Sequence, residues 1–202
     1  MKPSTPHSRS RRHCLAWIAL APLPPALAAG PAASPRPTTW AVPLQLPGVR
    51  NLHRIHDGLY RSEQPGARGM VALEQLGVRT VINLRAFHSD DDEAADTRLR
   101  KARQRINTWD ITDEQVVAVL RVLRQRDHGP FLIHCQHGAD RTGLMSAMYR
   151  IVEQGWSKAE AVREMIEGGY GYHSLWRNIP RYIHAADIGA IRRSLDQPQS
   201  LA

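Results

Sequence analysis

The chain is poor in cysteine: its 202 residues hold two, Cys14 and Cys135. So few thiols exclude a disulfide-stapled scaffold, and the fold has to rest on an apolar core. Aromatic residues make up 6% and never interleave with a dense basic stripe, so a nucleic-acid surface is not indicated. The ten His are scattered without a metal-ligand spacing such as HExxH, which argues against a metal site. Long apolar runs are missing too. The stretch from Cys14 to about Leu27 is short and broken by Pro22, Pro24 and Pro25, unlike the roughly 20 residues of a membrane span.

The charge is uneven. The formal net charge is +8, yet residues 1–28 supply Lys2, Arg9, Arg11 and Arg12 and no acid. Taking those four from 27 basic residues leaves 23 against 19 acidic ones, an excess of +4 that suits anionic substrates. The basic start, the apolar stretch and the small-x-small tripeptide Ala26-Leu27-Ala28 together predict a signal peptide over 1–28, with Ala29 as the mature N-terminus. Ser10–Leu15 also resembles a twin-arginine export signal, so the export route stays open. The predicted location is periplasmic or secreted, with no stable membrane span after cleavage. Cleavage would remove Cys14 and leave Cys135 as a lone thiol, which cannot be lost to an internal disulfide.

Residues 29–47, rich in Pro, Ala and Thr, predict a linker or extended arm outside the core. One domain is expected over 48–196. Asn51–His56 and Leu59–Arg61 flank the turn pair Asp57-Gly58 and predict a hairpin. Ala67–Leu76 predicts a helix that stops at Gly77. Arg79–Leu84 predicts a central strand, Asp91–Arg105 an exposed helix and Ile106–Trp109 a short strand. Thr112–Gln115 and Ser157–Glu160 are capping boxes that open helices. Pro180 predicts the start of a last helix running toward Leu195. Strands alternating with helices indicate an α/β fold, with a mixed or mainly parallel central sheet flanked by helices.

The richest segment is His134–Gly143, HCQHGADRTG. The apolar run Pro130–His134 before it predicts a buried strand, and TGLMSAMYRIVEQ after it predicts a helix. Strand, tight loop and helix would aim the loop amides at an anion beside the helix N-terminus. The same field favours a thiolate at Cys135, the nucleophile that attack on phosphorus needs. Arg141, six residues on, offers two parallel N–H donors to phosphate oxygens. Gln136, His137, Gly138, Ala139, Asp140, Thr142 and Gly143 complete the predicted substrate-binding loop.

This segment resembles the signature loop HCxxGxxR[ST]G of the cysteine-dependent protein tyrosine phosphatases, in their dual-specificity and atypical bacterial branch. Gly58–Pro65 (GLYRSEQP) and Leu76–Arg85 (LGVRTVINLR) resemble landmarks of the same branch. The resemblance covers roughly residues 50–170. It implies a dual-specificity-phosphatase-like fold, a phosphocysteine intermediate and a phosphorylated substrate, with no metal or organic cofactor. It implies that His134 hydrogen-bonds the loop backbone. It also implies a general acid on the loop before the helix that leads to the catalytic strand, here Thr108–Asp113. Asp110 is the first choice, Asp140 a rival, and Asp113 or the run Asp90–Asp92 the remainder. Arg61 and Arg85 end predicted strands at the edge where ligands bind in α/β folds. Tyr170–His173 predicts a flexible loop with exposed rings. The substrate stays open between phosphoproteins, a phosphoinositide and an inositol polyphosphate. Rival readings are a non-catalytic phosphate-binding module and a sulfur transferase of the rhodanese type.

Overall fold

Alternating apolar residues in the strands bury both faces of one sheet. Leu59, Ile82, Leu84, Phe131 and Ile133 point to one side, whereas Tyr60, Val81 and Leu132 point to the other. In the computed structural model, which describes residues 36–197, six strands and six helices build this arrangement. The strands are β1 (Val42–Pro43), β2 (His53–His56), β3 (Leu59–Glu63), β4 (Thr80–Arg85), β5 (Arg100–Ile106) and β6 (Phe131–Cys135). Their spatial order is β1-β2-β3-β6-β4-β5. Strands β3, β6, β4 and β5 run parallel, and β1 and β2 join antiparallel, so the sheet is mixed. Helix α1 (Ala67–Gln75) covers one face through Met70 and Leu73. The other face is covered by α2 (Asp113–Arg124), α3 (Asp140–Gln154), α4 (Lys158–Glu167), α5 (Asn178–Ala185) and α6 (Ile188–Asp196). Among the described residues no helix is long and apolar enough to cross a membrane. The predicted leader, residues 1–28, lies outside the described residues.

Local signals explain most boundaries. The hairpin turns at Asp57-Gly58, with His56 paired to Leu59. Both capping boxes form, with Thr112 accepting from the Gln115 N–H and Ser157 from the Glu160 N–H. Three expectations are corrected. Asp91–Arg105 is no helix: the chain turns after Asp90, then Arg100–Ile106 pairs with β4 as a strand. Its Arg and Lys side chains face water while Ala102 and Ile106 turn inward, an alternation that its charge conceals. Ile106 ends this strand, and Asn107 and Asp110 bridge across a tight turn in place of a strand over Ile106–Trp109. The last helix is two, because the Asp187 side chain caps a new start at Ile188 by accepting from the Ala190 N–H at 2.9 Å.

The described part of the predicted arm, from Arg36 to Pro47, is also corrected, because it packs into the domain. Trp40 and Ala41 are buried, and β1 pairs with β2. The Ala41 N–H donates to Glu164 Oε1 at 2.7 Å, and the Arg150 guanidinium donates to both Glu164 oxygens. Arg36 donates to the Gly168 carbonyl and the Tyr170 hydroxyl. Paired polar groups, not apolar periodicity, anchor this segment.

His53, beneath Tyr170, carries a pH prediction. It is 8% exposed, and its ring meets Tyr170 edge-on with centroids 4.7 Å apart. Burial pushes its pKa down to about 4, aided by Arg61 and Arg36 and resisted by the Asn51 carbonyl. Between pH 6.5 and 4 the unfolded chain takes up a proton that the folded chain refuses, so stability falls with pH across that window. His56, lowered by burial and Arg150, acts in the same direction. Urea denaturation should show the protein roughly 2 kcal/mol less stable at pH 5 than at pH 7.5, most of it abolished in His53→Asn. An unchanged slope in that variant would reject the assignment.

Candidate active site

Every residue of β6 is buried, so the strand delivers Cys135 to the sheet's C-terminal edge from within the core. The chain turns through Gln136–Ala139 and enters α3 at Asp140. Gly138 has φ +69°, and a Cβ there would lie 2.5 Å from the Ser62 carbonyl carbon. Only glycine lets the loop touch β3 this closely. A Cβ on Gly143 would meet Met165 Cγ at 2.8 Å, so α3 also sits tight on α4. Ala139 at the start of α3 supplies no side-chain cap, which leaves the helix N-terminus open to an anion. Cys135 is a free thiol, 2% exposed. Arg141 opens the first turn with its Nε buried and unpartnered, and Thr142 Oγ1 is likewise buried without a hydrogen bond. Both are donors that no protein acceptor has taken.

The loop is braced from below and beside. Arg61 Nη2 donates to the Gly138 carbonyl at 2.7 Å. Asn51 donates to the His137 carbonyl at 3.0 Å and to the Tyr170 carbonyl at 2.9 Å. His134 is fully buried, and its Nε2 meets Asp90 Oδ2 at 2.9 Å while its Nδ1 has no partner. The expected bond from His134 to the loop backbone is therefore replaced by one to the segment after β4. Asp90 Oδ1 also accepts from Gln64 at 2.8 Å and from Asn83 at 2.9 Å. Burial alone would raise the Asp90 pKa, but the bonds from His134 and Gln64 hold it below the usual carboxylate range. His88 and Glu93 bring donor atoms within 4.8 Å of Asp90, yet His134, Gln64 and Asn83 already occupy both of its oxygens.

The family model described as "DSP-PTPase phosphatase fused to NAD+ Kinase" matches residues 53–172, more than half of the chain. The chain belongs to the cysteine-dependent dual-specificity phosphatases. Dual specificity protein phosphatase TpbA of Pseudomonas aeruginosa (strain UCBPP-PA14) is 38% identical over 195 residues, covering 91% of this chain and 87% of that one. The crystal structure of a cysteine-to-serine variant of P. aeruginosa TpbA in complex with pTyr superposes with a TM-score of 0.73. It is 34% identical and covers 81% of this chain and all of that chain. Inositol diphosphatase DSP3 of Arabidopsis thaliana is 28% identical over 153 residues, covering 72% of this chain and 74% of that one. The chain is thus a cysteine-dependent phosphatase, and its chemistry is phosphoester hydrolysis.

The candidate acids of this phosphatase now stand apart. Asp110 is exposed on the turn after β5, whose parallel run with β4 and β6 opens it onto the same sheet edge as Cys135. Asn178 ties that turn down by donating to the Thr108 carbonyl at 2.7 Å. Asp113 accepts from the Tyr182 hydroxyl at 2.6 Å. Asp91 pairs with Lys101 at 2.6 Å. Asp140 is 8% exposed and takes two bonds from His173, one from the backbone N–H at 3.0 Å and one from ring Nδ1 at 2.8 Å. Its partner is thus a histidine from the segment after α4. His137 and His173 face each other at the rim with centroids 5.4 Å apart. In the Tyr170–His173 stretch, expected to carry exposed rings, Tyr170 is instead 1% exposed, packed over Arg61. Arg85 lies half-buried at the end of β4, near Gln64. The Asp90–His134 pair and the place of Arg61 beneath the loop escaped sequence reasoning, because contacts this distant along the chain leave no local pattern.

Proposed function

We propose that this phosphatase acts on phosphotyrosine, phosphoserine and phosphothreonine in proteins, outside the cytoplasm, with Cys135 as nucleophile and Asp110 as general acid. The observation that carries the reading is Cys135 and the untaken donors of Arg141 on one loop, against the uncapped start of α3. The Cys135 thiolate attacks phosphorus while Asp110 gives a proton to the departing alcohol or phenol, leaving phosphocysteine. Arg141 and the loop amides hold the charge on the equatorial oxygens. Water then attacks phosphorus, Asp110 takes its proton, and the thiolate leaves as phosphate is released. The commitment of Asp140, Asp113, Asp90 and Asp91 to other partners supports Asp110 in both steps. The name of the 38% identical relative supports a protein substrate. The basic, apolar leader supports export.

Purified protein, under reducing conditions and with EDTA, should hydrolyse a phosphotyrosine peptide in preference to inositol phosphates. Asp110→Asn should lower kcat by about 10²–10⁴-fold and remove the alkaline limb of its pH profile. Preference for an inositol phosphate would overturn the substrate class, and an unchanged pH profile would overturn the acid. Mature protein starting at Ala29 in the extracytoplasmic fraction is the expected sign of export.

A further inference from the structure

Arg61 is among the largest fully buried side chains, yet it is a cation. It lies on β3, beside Ile133 in β6, with Glu63 beside Cys135 two residues on. Side chains two apart along a strand share a face, so Arg61 and Cys135 project from the same side of the sheet. Among the described residues no carboxylate forms an ion pair with Arg61, and its Nε has no hydrogen-bond partner. Its contacts are the Gly138 carbonyl at 2.7 Å and the face of Tyr170, 3.6 Å from the ring centroid. Tyr170 is itself fixed by a 2.9 Å bond to Glu164. A buried cation without a paired counter-charge is costly. Burial pushes the guanidinium below the usual arginine range, and negative charge at Tyr170, Glu164 or Cys135 would oppose that push. Coupling between two charges is mutual, so what a Cys135 thiolate does for Arg61, Arg61 does for the thiolate.

We propose that Arg61 is a positioning residue of this phosphatase: its guanidinium holds the Gly138 peptide in register, and its unpaired charge favours ionised Cys135. The inference rests on the catalytic reading of Cys135. It differs from the role of Arg141, which opens α3 with its Nε untaken, because the Arg61 guanidinium is shut beneath the loop and spends a donor on the loop backbone.

The test is the pH dependence of Cys135 alkylation by iodoacetamide in the full chain, which needs no turnover, beside kcat and KM for p-nitrophenyl phosphate. In Arg61→Met the alkylation midpoint should rise by at least about one pH unit, with alkylation at pH 6 roughly tenfold slower. Arg61→Lys keeps the charge and loses the planar fork. Its midpoint should stay near that of the parent while kcat falls roughly tenfold and KM changes little. A folded Arg61→Met with the parent midpoint would overturn the proposal. Should Arg61→Met fail to fold, Arg61→Lys decides: parent kcat would overturn the proposal, and reduced kcat with the parent midpoint would sustain it. Absent turnover in the parent chain, with an ionised Cys135, would count against the catalytic reading and leave the role of Arg61 in ionisation standing.

Discussion

Replacing Cys135 by serine should cut hydrolysis of p-nitrophenyl phosphate by on the order of 10⁴-fold or more while leaving phosphate binding intact. The open N-terminus of α3 and the buried guanidinium of Arg61 both favour a negative charge at the sulfur position. A free thiol ionises with a pKa near 8.5, far below that of an alcohol. An alcohol ionises too weakly for the same field to supply an alkoxide. The donors meant for phosphate do not depend on sulfur: Arg141 and the loop amides are untouched by the change. Residual turnover by stopped assay and retained affinity for a phosphotyrosine peptide by calorimetry check the two halves. More than about 1% of parent turnover in Cys135→Ser would remove Cys135 from the mechanism.

Glu164→Ala is expected to cost about 3–5 kcal/mol of stability. Glu164 is 4% exposed and accepts four bonds, from Arg150 Nε and Nη2, the Tyr170 hydroxyl and the Ala41 N–H. Arg150 is as deeply buried, so truncating its partner strands a cation beside the Trp156 ring, with only the Thr39 carbonyl and Gln154 left to accept from it. The Ala41 N–H is orphaned at the same time. Thermal unfolding followed by circular dichroism should drop by roughly 10 °C or more. A shift under 3 °C would mean that the network is replaced by water at little cost.

The catalytic loop was legible because its chemistry is local. Cys135, Gly138 and Arg141 sit within seven consecutive residues, and the strand before and helix after declare themselves by period. Hairpin turn and capping boxes were legible for the same reason, since partners three or four residues apart leave a spelled pattern. What stayed hidden depends on distance or on mixed character. Strand β5 reads as a charged surface helix because its outward residues are Arg and Lys and its inward ones include a small Ala. The segment around Trp40 reads as a linker because Glu164, more than a hundred residues later, supplies its anchor. Asp90 reads as a spare acid in the sequence, yet His134, Asn83 and Gln64 occupy its oxygens.

The edge of the sheet at β5 has a consequence for the protein in crowded solution. The strand lies last in the order, so one side of its backbone ladder is unpaired within the sheet. Such a ladder is a template for a second chain. Here it carries Arg100, Lys101, Arg103 and Arg105. A copy arriving edge to edge would set four cations against four, and like charges opposed across strands repel. The charges that disguise β5 as a helix in the sequence thus also guard it against aggregation.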